Sequence, residues 1–93
     1  MTGERRQVTI MFTDLCGFTA LSHSLDPEEV RELVRNYTTL VDGIVAGYGG
    51  TVDKHIGDAV MALFGAPQAH YDDPVRAARA AQKVGETVRQ KVR

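Results

Sequence analysis

The spacing of apolar and polar residues changes several times along the chain, and each change marks an element. From Gln7 to Asp14 the run is β-branched and aromatic on both faces: Val8, Ile10 and Phe12 on one, Thr9, Met11 and Thr13 on the other. Two-sided apolarity predicts a strand covered on both sides, or nearly so. A glycine turn at Gly17 and a short helical turn through Leu21 are expected next. Asp26-Pro27-Glu28-Glu29 then reads as a helix start, with an N-cap, a proline at the first helical position and two acids in the first turn. Behind it, Val30, Leu33, Val34, Tyr37, Leu40, Val41, Ile44, Val45 and Tyr48 fall three and four residues apart in one apolar stripe. Gly49-Gly50 stops that helix. Thr51–Ile56 and Ala59–Phe64 are short β-prone runs around Gly57-Asp58, which predicts a hairpin with a II′ turn and Asp58 at its tip. Asp72-Asp73-Pro74 repeats the cap-and-proline signal. The last helix carries a thinner apolar side, expected to be Val75, Ala78, Ala81, Val84, Val88 and Val92.

The order is β-α-α-β-β-α. Three strands and two substantial helices predict an α+β fold, half of a ferredoxin-like, palm-like sandwich with an incomplete sheet. The element count leaves the first strand without a neighbour on one side, and such edges invite pairing.

Composition narrows the function classes. The 93 residues are 43% hydrophobic and 25% charged with a net charge of −1, which favours neither nucleic acid nor a membrane surface as a partner. A lone cysteine, Cys16, excludes an intramolecular disulfide and fits a reducing, cytoplasmic setting. No apolar run approaches the ~20 residues that span a bilayer. The basic run of the last helix (Arg76, Arg79, Lys83, Arg89, Lys91, Arg93) reads as a solvated face, and His23, His55 and His70 as solvent-facing or turn residues without metal-site spacing.

Two carboxylates stand apart by position. Asp14 ends an apolar strand and Asp58 tips a hairpin, so a hairpin paired beside the first strand would bring them together. Two converging carboxylates repel unless a cation lies between them, and hard divalent ions take such oxygen ligands. The loop Cys16-Gly17-Phe18-Thr19 offers successive backbone N–H groups, a cradle for phosphate oxygens. Taken singly, each acid is more simply a cap or a turn residue. Together with the glycine loop, the metal reading and the turn reading stand level.

The segment Val8-Thr9-Ile10-Met11-Phe12-Thr13-Asp14-Leu15-Cys16-Gly17-Phe18-Thr19 resembles the first signature of the class III adenylyl and guanylyl cyclase catalytic domain. Lys54-His55-Ile56-Gly57-Asp58-Ala59-Val60-Met61-Ala62-Leu63-Phe64-Gly65 resembles the second, in a form similar to bacterial members. The likeness runs from residue 7 to about 85 of a single domain, residues 1–93. It implies that Asp14 and Asp58, as the catalytic acids, bind two divalent ions, Mg²⁺ or Mn²⁺, with the backbone carbonyl of Leu15 as a further ligand. It implies that Cys16, Gly17, Phe18 and Thr19 hold the substrate phosphates. Lys54 matches the purine-reading position, where lysine resembles adenylyl cyclases and glutamate guanylyl cyclases. An ammonium donates to adenine N1, whereas a carboxylate accepts from guanine. The implied substrate is a nucleoside triphosphate, ATP favoured over GTP. The implied assembly is a homo- or heterodimer in which Lys54 serves the partner subunit's metal pair.

The family's second half supplies a further purine-reading residue, an Asn and an Arg that stabilise the transition state. None lies within these residues, so the chain is expected to be inactive alone. Two alternatives belong to other classes. A non-catalytic cyclase-homology module for dimerisation or nucleotide sensing has no need to keep either acid. A diguanylate cyclase would carry Gly-Gly-Asp/Glu-Glu-Phe at its hairpin, where this chain reads Ile56-Gly57-Asp58-Ala59.

Overall fold

The computed structural model describes residues 7–14 and 24–92. Strand β1 (Thr9–Thr13) is followed by helix α1 (Pro27–Gly47), the hairpin strands β2 (Thr51–Ile56) and β3 (Ala59–Phe64), and helix α2 (Asp73–Val92). The sheet is antiparallel throughout, in the order β1-β3-β2. The expected α+β half-sandwich with an open sheet is therefore what forms, and the short turn expected through Leu21 lies outside the described residues.

Helix α1 starts and stops where its residues dictate. The Asp26 carboxylate accepts from Glu29 N–H at 2.9 Å, and the Asp26 N–H donates to Glu29 Oε1 at 3.1 Å, a reciprocal capping box. At the far end Gly49 adopts φ +84. The Gly50 N–H bonds to Val45 O at 2.9 Å and the Gly49 N–H to Ala46 O at 3.1 Å, which is the Schellman arrangement. Gly50 also has to be glycine for space. A Cβ there would lie 2.6 Å from Phe64 Cζ and 2.9 Å from Val45 Cγ1.

Both helices pack on one face of the sheet. Met11, Val60, Ala62 and Phe64 from the strands meet Tyr37, Val41 and Val45 of α1 and Ala77, Ala80 and Val84 of α2. Two expectations change here. The covered side of α2 is Ala77, Ala80 and Val84, while Val75, Ala78 and Ala81 are exposed. Alanines occupy both sides of that helix, so hydrophobic spacing alone does not choose between them. β1 is covered on one side only. With both helices on the Met11 face, Ile10 is 53% and Phe12 64% exposed, and β1 is an edge of this sheet.

The start of α2 is also built differently from the expected cap. Asp72 turns its carboxylate to Arg76 Nε, which donates to it at 2.7 Å. Asp73 reaches back to accept from the His70 N–H at 2.8 Å. Arg76 further donates to Tyr48 O at 3.3 Å, placing a cation at the carbonyl end of α1.

Candidate active site

The register of the sheet decides where the two acids go. Thr13 pairs with Val60, so the next step along both strands sets Asp14 beside Ala59, the residue after Asp58. The end of β1 and the tip of the β2–β3 hairpin therefore share one end of the sheet. Gly57 takes φ +60 while Asp58 keeps a negative φ, as a II′ turn requires. Asp14 is exposed and Asp58 half-buried.

The donor chemistry suits a hard divalent ion. Asp14 and Asp58 lie at the same end of the sheet, and among the described residues no group of three or more His, Cys, Asp or Glu side chains is gathered to hold a metal ion. A cation there would complete its shell with carbonyl, phosphate or water oxygens, the habit of Mg²⁺. The remaining expected ligands, Leu15 and the loop Cys16-Gly17-Phe18-Thr19, lie outside the described residues.

Alternation along β1 puts Asp14 on the same face as Phe12, the face away from the helices. Lys54 is on that face too, since it pairs with Met61, which in turn pairs with Phe12. Lys54 is exposed and its Nζ comes 4.0 Å from the Asp53 carboxylate. The structure thus places Asp14 and Lys54 two strands apart on one bare, largely apolar surface.

Beside Asp58 lies a cleft of about 570 Å³ between the first turns of α1 and the hairpin tip, lined by Leu25, Pro27, Val30, Arg31 and Val34. Spacing assigns Val30 and Val34 to the apolar stripe of the core. Their approach to Asp58 joins elements over twenty residues apart, and no local signal announces it.

The histidines are more engaged than their spacing suggests. His55 Nε2 lies 2.9 and 3.1 Å from the two carboxylate oxygens of Asp42 on α1. His70 Nδ1 lies 3.4 Å from Asp73 Oδ1 at the start of α2. His23 lies outside the described residues. The basic face of α2 is not wholly solvated either, because Arg76 is held by Asp72. That contact, with the neighbouring charge, pulls the Asp72 carboxyl below its ordinary value. Among the described residues no helix is long and apolar enough to cross a membrane.

Comparison with known proteins gives this geometry a context. The family model for the adenylate and guanylate cyclase catalytic domain matches residues 2–93. Adenylate cyclase 1 of Rhizobium meliloti is 39% identical over 82 residues, covering 88% of this chain and 12% of that protein. Retinal guanylyl cyclase 1 of Homo sapiens is 40% identical over 62 residues, covering 67% of this chain and 6% of that protein. The crystal structure of the guanylyl cyclase Cya2 superposes with a TM-score of 0.86 at 38% identity, covering 97% of this chain and 46% of that one. The adenylyl cyclase CyaB from P. aeruginosa superposes with a TM-score of 0.82 at 36% identity, covering 90% and 45%. The chain spans less than half the length of each of these proteins.

Proposed function

Because the chain belongs to the adenylate and guanylate cyclase catalytic domain family, we propose that it carries the metal-bearing part of a nucleotidyl cyclase site converting ATP to 3′,5′-cyclic AMP and pyrophosphate. The observation that supports this reading most is the β1–β3 register, which sets Asp14 next to the hairpin that carries Asp58.

In this reading Asp14 and Asp58 hold two divalent ions, Mg²⁺ or Mn²⁺, with the Leu15 carbonyl as a further ligand. Such ions neutralise phosphate charge and ease deprotonation of a hydroxyl nucleophile. The two carboxylates fix where that charge sits, at the end of the sheet beyond Ala59. The loop Cys16-Gly17-Phe18-Thr19 cradles the triphosphate through its backbone N–H groups. The ribose 3′-oxygen forms its bond to the α-phosphorus as the bond to the pyrophosphate oxygen breaks in line, and the hydroxyl proton leaves to solvent. Lys54 donates from its ammonium to adenine N1, which favours ATP over GTP.

Lys54 and the acids serve different sites of one dimer. The bare sheet face supports that arrangement, since Ile10, Phe12 and Ile56 stay more than half exposed around Lys54. The partner is a second cyclase domain, identical or not, that brings its own metal-bearing end.

The test is a cyclase assay on this chain alone and mixed with the C-terminal half domain of a related cyclase, with Mn²⁺ and either ATP or GTP. The expected outcome is cyclic AMP from the mixture and at least a ~100-fold loss in Asp14→Ala and in Asp58→Ala. An associated mixture that yields no product from either nucleotide sinks the catalytic reading. It would leave a dimerisation or nucleotide-sensing module.

A further inference from the structure

The hairpin strands do not pair in one register. Thr51 pairs with Leu63 and Val52 with Ala62, but Lys54 pairs with Met61, His55 with Val60 and Ile56 with Ala59. Asp53 is the extra residue, bulged out between the two registers. Side chains alternate strictly along a strand, so a shift of one residue transfers every following side chain to the other face. Had β2 continued in the register of Thr51 and Val52, Lys54 would pair with the fully buried Val60, under α1, and His55 would face the bare side. The bulge at Asp53 reverses this. It also brings the charged ends of Asp53 and Lys54 to 4.0 Å, an approach that regular alternation would oppose.

A side-chain hydrogen bond ties the strand beyond the bulge to helix α1. His55 Nε2 meets both oxygens of Asp42, at 2.9 and 3.1 Å, from the rim of the covered face. Asp42 follows the fully buried Val41, so its position on α1 is set by the core. In the unbulged register the cation nearest that carboxylate would be Lys54. Asp42 therefore has two candidate partners, one in each register, and His55 occupies it in the observed one.

From this we infer that the His55–Asp42 bond pins the hairpin in its bulged register and so keeps Lys54 on the bare face. His55 is a positioning residue for Lys54. The inference rests on the purine role proposed above for Lys54, and one arm of its test is independent of that role.

The first arm uses this chain without nucleotide. Cross-strand nuclear Overhauser contacts are recorded between Lys54 and either Met61 or Val60. Wild type shows the Met61 contact. In His55→Glu the new carboxylate repels Asp42 and leaves it to Lys54, and the Lys54–Val60 register is expected to gain up to about tenfold in population. His55→Gln keeps a donor for Asp42 and retains the wild-type pattern. The charge exchange His55→Glu with Asp42→Lys restores it, which a general loss of strand stability would not allow. Thermal melts of each variant show that the fold persists. An unchanged Lys54–Met61 contact in His55→Glu overturns the inference.

The second arm compares ATP with GTP turnover in the mixture with a complementing half domain. The expected result is that His55→Glu moves the ATP preference several-fold towards parity and the exchanged pair returns it. A shifted register with an unmoved ATP preference upholds the pin but overturns any effect of His55 on nucleotide choice. It refutes the purine role of Lys54 as well, while leaving the metal pair untouched.

Discussion

The two faces of this sheet are made of alternate residues of the same three strands, yet they live under different conditions. On one, Met11, Val60, Ala62 and Phe64 are sealed by both helices. On the other, Ile10, Phe12 and Ile56 are more than half exposed, with Lys54 among them and Asp14 at the end. Hydrophobic character does not separate the faces, since Phe12 is as apolar as Phe64. Cover does. The sealed face gains the transfer free energy of burial and holds the fold, while the bare face keeps apolar area in water with no return within the described residues.

That contrast is open to direct attack, and the largest effect comes from exchanging the two phenylalanines for smaller residues. Phe64→Ala is expected to cost about 3–5 kcal/mol, a large fraction of the stability of a small domain. Phe12→Ser should cost under about 1 kcal/mol. Urea denaturation of the two variants checks both. Equal losses would mean that the bare face is covered in the folded protein.

A smaller effect sharpens how tightly the sealed face is packed at its corner. Gly50→Ala pushes a Cβ to within 2.6 Å of Phe64 and 2.9 Å of Val45, and about 1–3 kcal/mol should be lost. Gly43, inside α1, has nothing within 4 Å of its added Cβ. Gly43→Ala should therefore stabilise by roughly 0.5–1 kcal/mol through helix propensity. Thermal melting of the pair gives opposite signs if the packing is as described.

The smallest effect lies outside both faces, where Asp72 and Arg76 join the start of α2 to the end of α1. The hydrogen bond from Arg76 lowers the Asp72 carboxyl below its ordinary value of 3.8. A depressed carboxyl contributes stability above its unfolded value and loses that contribution as pH falls through its folded value. Denaturation of wild type and Asp72→Asn from about pH 5 to pH 2 should show a small gap that closes below the ordinary carboxylate range. A gap that widens on acidification would contradict the assignment.

Legibility in the sequence followed the range of the interaction. The capping box at Asp26 and Glu29, the glycine stop at Gly49-Gly50 and the turn at Gly57-Asp58 were all readable, because each involves a few adjacent residues. The pairing of Asp14 with the hairpin was readable as a condition, and the register met it. On the buried side of α2, Val84 and Val88 pack on the core as expected, but Ala77 and Ala80 replace Val75, Ala78 and Ala81, because alanines at 77, 78, 80 and 81 satisfy two helical faces equally. The bulge at Asp53 had no local signature at all. It shows only in the pairing of β2 with β3, and nothing in Val52-Asp53-Lys54 announces it.

By itself, then, the sequence determined the elements, their ends and the family to which Asp14, Lys54 and Asp58 belong, since propensity, capping and motif spacing act within short stretches of chain. Tertiary structure alone decided that both helices cover one face, that His55 meets Asp42, and that Lys54 stays on the open side with Asp14. Those outcomes depend on contacts between residues far apart in the chain, where one step of strand register exchanges the two faces.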